Sequence, residues 1–168
     1  DNKNIWIIDP IDGTSNFLHG IPHFAISIAL QSDNEIISGL IFDPIKNEMF
    51  YGEKNNGSYL NNKRIRVSQK KDLDRCLFAT NGKKFKNAKL HSRKSGSAAL
   101  DMAYVASGRY DGYFQENLNL WDIAAGLVLV KEAGGILNEV NLTKNENLEI
   151  IASSPNINEK MLEKLGKF

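Results

Sequence analysis

The chain has 168 residues, a length that fits one domain of ordinary size and is sufficient to bury a hydrophobic core. Its formal net charge of +1 excludes a global field that would attract nucleic acid or an anionic membrane. No apolar run approaches the roughly 20 residues that a membrane-spanning helix needs. The single cysteine, Cys76, excludes an internal disulfide and agrees with a reducing cytoplasm, which is the location we expect.

The first part of the chain predicts β-strands. Residues 4–9 form a short apolar run that ends in Pro-Ile-Asp-Gly, which indicates a buried strand closing in a turn. Large and small residues alternate over residues 23–31, and this period of two predicts a strand packed on both faces. Further apolar runs and two Asn-rich turns over residues 35–67 predict a meander of antiparallel strands.

Helical patterns dominate the second part of the chain. They cover residues 97–108, 121–135 and 154–168, with strand-like runs at 135–140 and 148–153. These elements, with no internal repeat and no low-complexity linker, predict one α/β domain over residues 1–168.

A basic loop over residues 81–96 precedes the first helical pattern. We interpret it as a solvated face rather than a nucleic-acid patch, because Phe85 is its one candidate stacking aromatic.

Two aspartates, Asp9 and Asp12, lie three positions apart across the proline turn. Their carboxylates, with the backbone carbonyl of Ile11 between them, form a set of hard oxygen ligands that suits Mg²⁺ better than zinc. Asp-Pro and Asp-Gly pairs are also common turn formers, so the stretch by itself is equally compatible with a plain turn.

The residues after Asp12 predict an anion site beside this cation site. Gly13 allows the backbone to approach a ligand, and Thr14 and Ser15 are N-cap-type residues that would open a short helix with N–H groups facing the same point. A phosphate ester is the natural ligand of such a pair of sites.

A third carboxylate, Asp122, lies at the start of a helical pattern, after Trp121, which we expect to be buried. It would supply a further hard ligand, although a carboxylate at a helix N-terminus also favours the helix dipole. We interpret His19 and His23 as ordinary loop or core residues, and Cys76 as a small buried hydrophobe.

The segments WIIDPIDGTSNF (6–17) and WDIAAGLVLVKEAGG (121–135), in this order, resemble the inositol monophosphatase family of Mg²⁺-dependent, lithium-sensitive sugar phosphatases. The resemblance covers essentially the whole chain. It implies an α+β sugar-phosphatase fold of alternating helix and sheet layers, a homodimer, and hydrolysis of inositol monophosphate to inositol and phosphate by metal-activated water.

The resemblance also implies roles for individual residues. Asp9, Asp12 and the carbonyl of Ile11 would be metal ligands, and Asp122 would hold a second metal. The Thr14 hydroxyl would help to orient the attacking water, so that Asp9, Asp12, Thr14 and Asp122 form the implied catalytic set.

On the substrate side, Gly13 and Thr14 would bind phosphate through backbone N–H groups. The turn formed by Gly96, Ser97 and Ala98 would lie near the inositol ring. Gln115 stands where family members usually have a glutamate that hydrogen-bonds a ring hydroxyl, which suggests an altered substrate preference. The implied substrate-binding set also includes Ile11, Asp12 and Asp122.

Two further departures from the family pattern affect the interpretation. The family carries a Glu-Glu pair and another aspartate upstream of the first motif, so we expect that the chain is an N-terminally truncated fragment. The basic loop ending at Lys94 is shorter than the family's corresponding helical stretch, which puts the dimer surface in doubt.

Three alternatives remain open from the sequence. The substrate could be another small phosphate ester: histidinol phosphate, fructose bisphosphate or a nucleotide bisphosphate. The chain could instead be a non-catalytic partner of the transcription machinery, with Lys83, Lys84 and Lys86 of the basic loop as contacts. Finally, it could be a truncated product that folds poorly because apolar surface near residues 5–8 is exposed.

Overall fold

The computed structural model describes residues 4–82 and 89–167. These residues form two β-sheets, one of six strands and one of five, together with four α-helices. The predicted α+β class is confirmed. Within the described ranges, no helix is long and apolar enough to cross a membrane. Three lysines assigned to the basic loop, Lys83, Lys84 and Lys86, lie outside these ranges.

The six-stranded sheet follows chain order, and every strand pairs antiparallel with the next. A short helix, α1 (Thr14–Leu18), connects its first two strands. Asn34 and Asn47 adopt left-handed backbone conformations in its turns, which asparagine tolerates. The predicted meander is therefore confirmed. Its strands are β1 (Asn4–Asp12), β2 (Ala25–Ser32), β3 (Glu35–Asp43), β4 (Glu48–Glu53), β5 (Gly57–Leu60) and β6 (Lys63–Arg64).

The five-stranded sheet is mixed, in the order β10-β11-β9-β7-β8, and only β7 pairs in parallel, with β8 and with β9. The strand predicted at 135–140 is reduced to two residues. The strands are β7 (Phe78–Ala79), β8 (Ser92–Arg93), β9 (Gly112–Leu118), β10 (Ile136–Leu137) and β11 (Leu148–Ser153).

The three predicted long helices form, as α2 (Ala98–Ala106), α3 (Leu120–Glu132) and α4 (Asn158–Leu165). Helices α2 and α3 pack on each other and contact both sheets, so they form the layer between them. Helix α4 packs beside the five-stranded sheet, in a separate buried cluster that includes Phe114 and Met161. The layers therefore alternate between sheet and helix, as expected.

Two glycines bring α3 close to the six-stranded sheet. A Cβ atom on Gly39 would lie 2.6 Å from the carbonyl oxygen of Ala125, and one on Gly52 would lie 3.1 Å from the Cα of Leu129. The Ser58 hydroxyl completes this contact by donating to the Leu129 carbonyl at 2.7 Å. The backbone of α3 therefore lies directly on the sheet, which fixes the position of its N-terminus.

The prediction of a buried first strand is wrong. Strand β1 lies at the edge of its sheet, and Trp6 and Ile8 are 62% and 53% exposed. A run of apolar residues reports hydrophobicity but does not identify what covers it. The edge position also accommodates Pro10, which cannot donate to a sheet hydrogen bond.

Strand β2 is also not buried on both faces. Ala25, Ser27 and Ala29 are buried, whereas the larger residues between them, Ile26, Ile28 and Leu30, are only partly buried or exposed. Residues paired across an antiparallel sheet share one face, so Leu30 and Ile28 lie beside Trp6 and Ile8. We call this apolar surface the outer face; an exposed apolar surface near residues 5–8 was part of only one of the alternatives left open by the sequence.

Candidate active site

The three aspartates singled out in the sequence come together in the fold. Asp9, Asp12 and Asp122 each place one carboxylate oxygen within 4.8 Å of the others. Asp9 and Asp12 lie on β1, and Asp122 lies in the first turn of α3. Among the described residues, this is the one group of three acidic, histidine or cysteine side chains arranged to hold a metal ion.

A local irregularity in β1 allows Asp9 and Asp12 to face the same point. Residues three apart on a regular strand project from opposite faces. Here Asp9 pairs with Ser27 and Asp12 with Ala25, so three steps along β1 match two steps along β2. The extra residue behaves as a bulge, which redirects one side chain. Both carboxylates therefore lie on the inner side of the sheet, next to α3.

Asp12 is held by the N-terminus of α2. Its Oδ2 accepts a hydrogen bond from the backbone N–H of Ala99 at 3.0 Å and a short one from the Ser97 hydroxyl. Asp12 is 5% exposed, and burial raises its pKa to about 7. The two hydrogen bonds oppose this rise, and the charges of Asp9 and Asp122 add to it.

Asp122 occupies the first turn of α3. Its Oδ2 accepts from the backbone N–H of Asn119 at 2.8 Å, so the carboxylate caps the helix with one of its two oxygens. Trp121 is 38% exposed, in contrast to the burial expected from the sequence. Burial raises the pKa of Asp122, and the charge of Asp9 raises it further.

The loop after Asp12 is arranged around Gly13. Gly13 has a φ of 84°, and a Cβ atom there would lie 3.1 Å from the carbonyl oxygen of His23, so glycine is required. Helix α1 begins at Thr14 with Gly13 as its N-cap, whereas Thr14 and Ser15 were expected to cap it. The Thr14 hydroxyl donates to the Ile11 carbonyl at 2.8 Å. A carbonyl oxygen has two lone pairs. The Ile11 carbonyl oxygen can therefore bind a further ligand while it accepts from Thr14.

The turn before α2 lies directly against this loop. Gly96 has a φ of 87°, and Ala98 is the first residue of α2. Ser97 is completely buried and is the N-cap residue of α2, where its hydroxyl accepts from the N–H of Leu100 at 3.3 Å. The Ser97 side chain therefore contacts Asp12 from inside the protein.

Gln115 lies on β9, and its Oε1 accepts a hydrogen bond from the buried hydroxyl of Tyr113 at 2.8 Å. Burial raises the pKa of Tyr113 well above its ordinary value, and the charges of Asp101, Asp12 and Asp122 raise it further. The Tyr113 hydroxyl, which Gln115 accepts from, is therefore subject to the negative charges of these aspartates.

The remaining sequence candidates lie outside the aspartate cluster. His19 is exposed and its ring Nδ1 lies 2.8 Å from the Ser15 carbonyl oxygen, while His23 packs edge-on against Tyr104. Cys76 is buried, as predicted, and burial raises its pKa to about 11, which leaves its thiol protonated and inert.

Asp101 is a buried acidic residue that the sequence pattern did not single out, and its carboxyl group is close enough to Asp12 to respond to its charge. Asp101 is completely buried in α2 and has no hydrogen bond of good geometry among the described residues, although the Ser95 hydroxyl is close enough to lower its pKa. Burial raises its pKa to about 8, and the charge of Asp12 adds to the rise. The signal available in the sequence was one acidic residue inside the otherwise apolar helical run 98–106.

The site does not coincide with the cavity that the second half of α3 forms with β3 and the segment after α3. That cavity has a volume of about 400 Å³ and a mainly apolar lining that includes Ile36, Val128 and Leu137. It contains none of the three aspartates. The chemistry of the donor atoms, rather than cavity size, therefore identifies the candidate active site.

A comparison with known sequence families assigns the chain to a family. A model of the inositol monophosphatase family matches residues 1–167. The chain belongs to the inositol monophosphatase family.

Individual family members are similar over most of the chain. An inositol-1-monophosphatase from Caulobacter vibrioides is 38% identical over 186 aligned positions, covering 98% of this chain and 72% of the relative. A Nus factor SuhB from Xylella fastidiosa is 43% identical over 150 positions, covering 80% of this chain and 54% of the relative. This chain therefore spans between about half and three quarters of the length of these two relatives.

Solved structures of family members have the same fold. The extragenic suppressor protein SuhB from Bartonella henselae has a TM-score of 0.90 at 41% identity, covering 98% of this chain and 73% of that one. An IMPase from Thermotoga maritima has a TM-score of 0.89 at 38% identity, covering 99% of this chain and 70% of that one. The expected inositol monophosphatase fold is confirmed.

Proposed function

We propose that this protein is a Mg²⁺-dependent phosphatase that hydrolyses inositol monophosphate to inositol and phosphate. The observation that carries the proposal is the convergence of Asp9, Asp12 and Asp122. Support comes also from the Caulobacter relative, named an inositol-1-monophosphatase, and from a structure described as inositol monophosphate bound SaIMPase-II, which is 25% identical with a TM-score of 0.84.

The three carboxylates suit a divalent cation. Burial raises the pKa of each carboxyl group, and the charge of a neighbouring aspartate raises it further at Asp12 and Asp122. A cation between the three carboxylates would stabilise their ionised forms. Asp9, Asp12, Asp122 and the carbonyl of Ile11 would hold Mg²⁺, which prefers oxygen ligands. When bound, Mg²⁺ supplies Lewis-acid stabilisation of negative charge and lowers the pKa of water.

The chain's own groups would orient the phosphate and the water. In the proposed site, backbone N–H groups of Gly13 and Thr14 bind the phosphate oxygens, and positive φ at Gly13 lets the backbone approach them. The Thr14 hydroxyl, already anchored on the Ile11 carbonyl, would accept a hydrogen bond from the attacking water and direct its lone pair at phosphorus.

The substrate's ring would lie between the turn Gly96 to Ala98 and Gln115. Gln115 keeps a side-chain amide that can donate to a ring hydroxyl, whereas a glutamate there would only accept. We therefore propose that this chain prefers a different hydroxyl pattern, or a different small phosphate ester, from family members that carry glutamate.

The test is phosphate release from inositol 1-phosphate with and without Mg²⁺, comparing the wild type with Asp12→Asn and with Asp33→Asn. Asp33 is exposed in a turn, so its variant controls for the loss of one negative charge. We expect activity that requires Mg²⁺, survives Asp33→Asn and disappears in Asp12→Asn. Activity that persists in Asp12→Asn would refute the assigned site.

A second candidate function is suggested by the name of the Xylella relative, Nus factor SuhB. A role in transcription would use surface contacts rather than the carboxylates. Neutralising Lys83, Lys84 and Lys86 should then remove partner binding and leave phosphatase activity unchanged, and Asp12→Asn should do the reverse. A homodimeric state and a cytoplasmic location also remain proposals.

A further inference from the structure

Asn16 joins two segments of the candidate active site that are far apart in the sequence. Its side-chain Nδ2 donates to the carbonyl oxygen of His23 at 2.7 Å and to that of Ser95 at 2.9 Å. An amide nitrogen carries two hydrogens, so both are used on backbone carbonyls. One acceptor follows α1 by a few residues, and the other precedes the turn at Gly96, 79 positions along the chain from Asn16.

Two glycines make room for this contact. A Cβ atom on Gly96 would lie 2.9 Å from Nδ2 of Asn16, and a Cβ atom on Gly13 would lie 3.3 Å from the Gly96 carbonyl oxygen. Both glycines have positive φ, so their backbones take conformations that other residues rarely adopt. The loop at residues 13–16 and the turn at residues 95–97 are therefore packed backbone against backbone, with the Asn16 amide between them.

The same turn holds the carboxylate of Asp12. Ser97 donates its hydroxyl to Asp12 Oδ2, and the N–H of Ala99 donates to the same oxygen. A displacement of the turn would therefore rotate Asp12 as well as move the backbone on the substrate side. Asn16 is the side chain that ties this turn to the loop that follows Asp12.

We propose that Asn16 is a positioning residue, which fixes the distance between the loop at 13–16 and the turn at 95–97 and thereby holds Asp12 in place. For its effect on the reaction, this inference rests on the phosphatase function proposed above. A ligand that contacts only the loop at 13–16 binds independently of the distance between the loop and the turn. A substrate that reaches from the loop to the turn needs their distance to be correct as well.

The test compares Asn16→Asp with Asn138→Asp in the full chain. The Nδ2 of Asn138 also donates to two backbone carbonyls, those of Glu139 at 3.1 Å and Glu149 at 3.0 Å, but Asn138 lies outside the candidate active site. Both variants replace two donated hydrogen bonds with contacts between oxygens. Asn138→Asp therefore also loses two donated hydrogen bonds, but its side-chain oxygen keeps the bond from the Ile151 N–H at 2.6 Å, and the loop and the turn are untouched.

The first measurement is hydrogen exchange at the backbone amide of Ala99, which reports directly on the bond to Asp12. We expect its protection to fall about tenfold in Asn16→Asp and to match the wild type in Asn138→Asp. Equal protection in the two variants would overturn the inference. If Asn16→Asp does not fold, Asn16→Ala removes the same two bonds without adding a charge and should give the same pattern.

The second measurement is the ratio of kcat/KM for inositol 1-phosphate to that for p-nitrophenyl phosphate. We expect this ratio to fall about fivefold in Asn16→Asp and to stay constant in Asn138→Asp. A constant ratio in both variants would contradict a positioning role. A wild type that hydrolyses neither ester would refute the proposed function, and the exchange experiment would still decide the role of Asn16.

Discussion

Replacing Asp12 with asparagine should stabilise the metal-free protein at alkaline pH, although it removes a proposed catalytic group. Burial raises the pKa of Asp12 from 3.8 to about 7, so the folded state binds this proton more tightly than the unfolded state. Ionisation therefore opposes folding progressively as the pH rises from the unfolded value through the folded one. A shift of this size corresponds to about 4 kcal/mol at most.

Urea denaturation in the presence of a chelator measures the effect. Relative to the wild type, Asp12→Asn should gain about 4 kcal/mol in free energy of unfolding at about pH 8, but only about 2 kcal/mol at about pH 5. The exposed control, Asp33→Asn, should show no such pH-dependent gain. Saturating Mg²⁺ at the higher pH should reverse the order, because it binds the wild-type folded state. A gain that is absent, or equal at both pH values, would refute the reasoning.

Three further predictions concern single contacts. Ser97→Ala removes one of two donors to Asp12 Oδ2, so it should lower the free energy of unfolding, measured in urea, by about 1–3 kcal/mol. It should also weaken Mg²⁺ binding, measured by calorimetry. An Mg²⁺ affinity equal to that of the wild type would contradict the contact. Gly39→Ala should lower the free energy of unfolding by about 1–3 kcal/mol, because its Cβ would collide with the backbone of Ala125. The control variant Gly134→Ala has no atom within 4 Å of its Cβ and should lose about 1 kcal/mol, because its φ is positive. Gln115→Glu should shift kcat/KM for inositol 1-phosphate relative to p-nitrophenyl phosphate, and an unchanged ratio would exclude Gln115 from substrate selection.

Local patterns in the sequence predicted most of the elements. The helices at 98–106 and 120–132 and the antiparallel meander follow from periodicity and turn residues, which act over a few positions. The edge position of β1 could not be predicted, since its apolar run is the same whether neighbours cover one side, both or neither. The exposed large residues of β2 were misjudged for the same reason.

The site was predictable where a motif specified its chemistry and not where it depended on contacts between distant segments. The convergence of Asp9, Asp12 and Asp122 was expected from residue type and from the family resemblance. The bulge that turns Asp12 toward Asp9 falls at Pro10, a residue that is compatible with a bulge but does not specify one. The bond from Ser97 to Asp12 spans 85 positions, so its partners come together only when the N-terminus of α2 meets the end of β1 in the folded protein.

Strand β1 connects the outer face of the sheet to the candidate active site. Trp6 and Ile8 project outward from this strand, and Asp9 projects inward from it. An edge strand is hydrogen-bonded on one side only, so its opening motions depend on how well its side chains are packed. Burying Trp6 and Ile8 against another surface would suppress those motions and make the spacing of the carboxylates more uniform. Burial of the outer face would then change the affinity of the three aspartates, on the opposite side of the sheet, for a divalent cation.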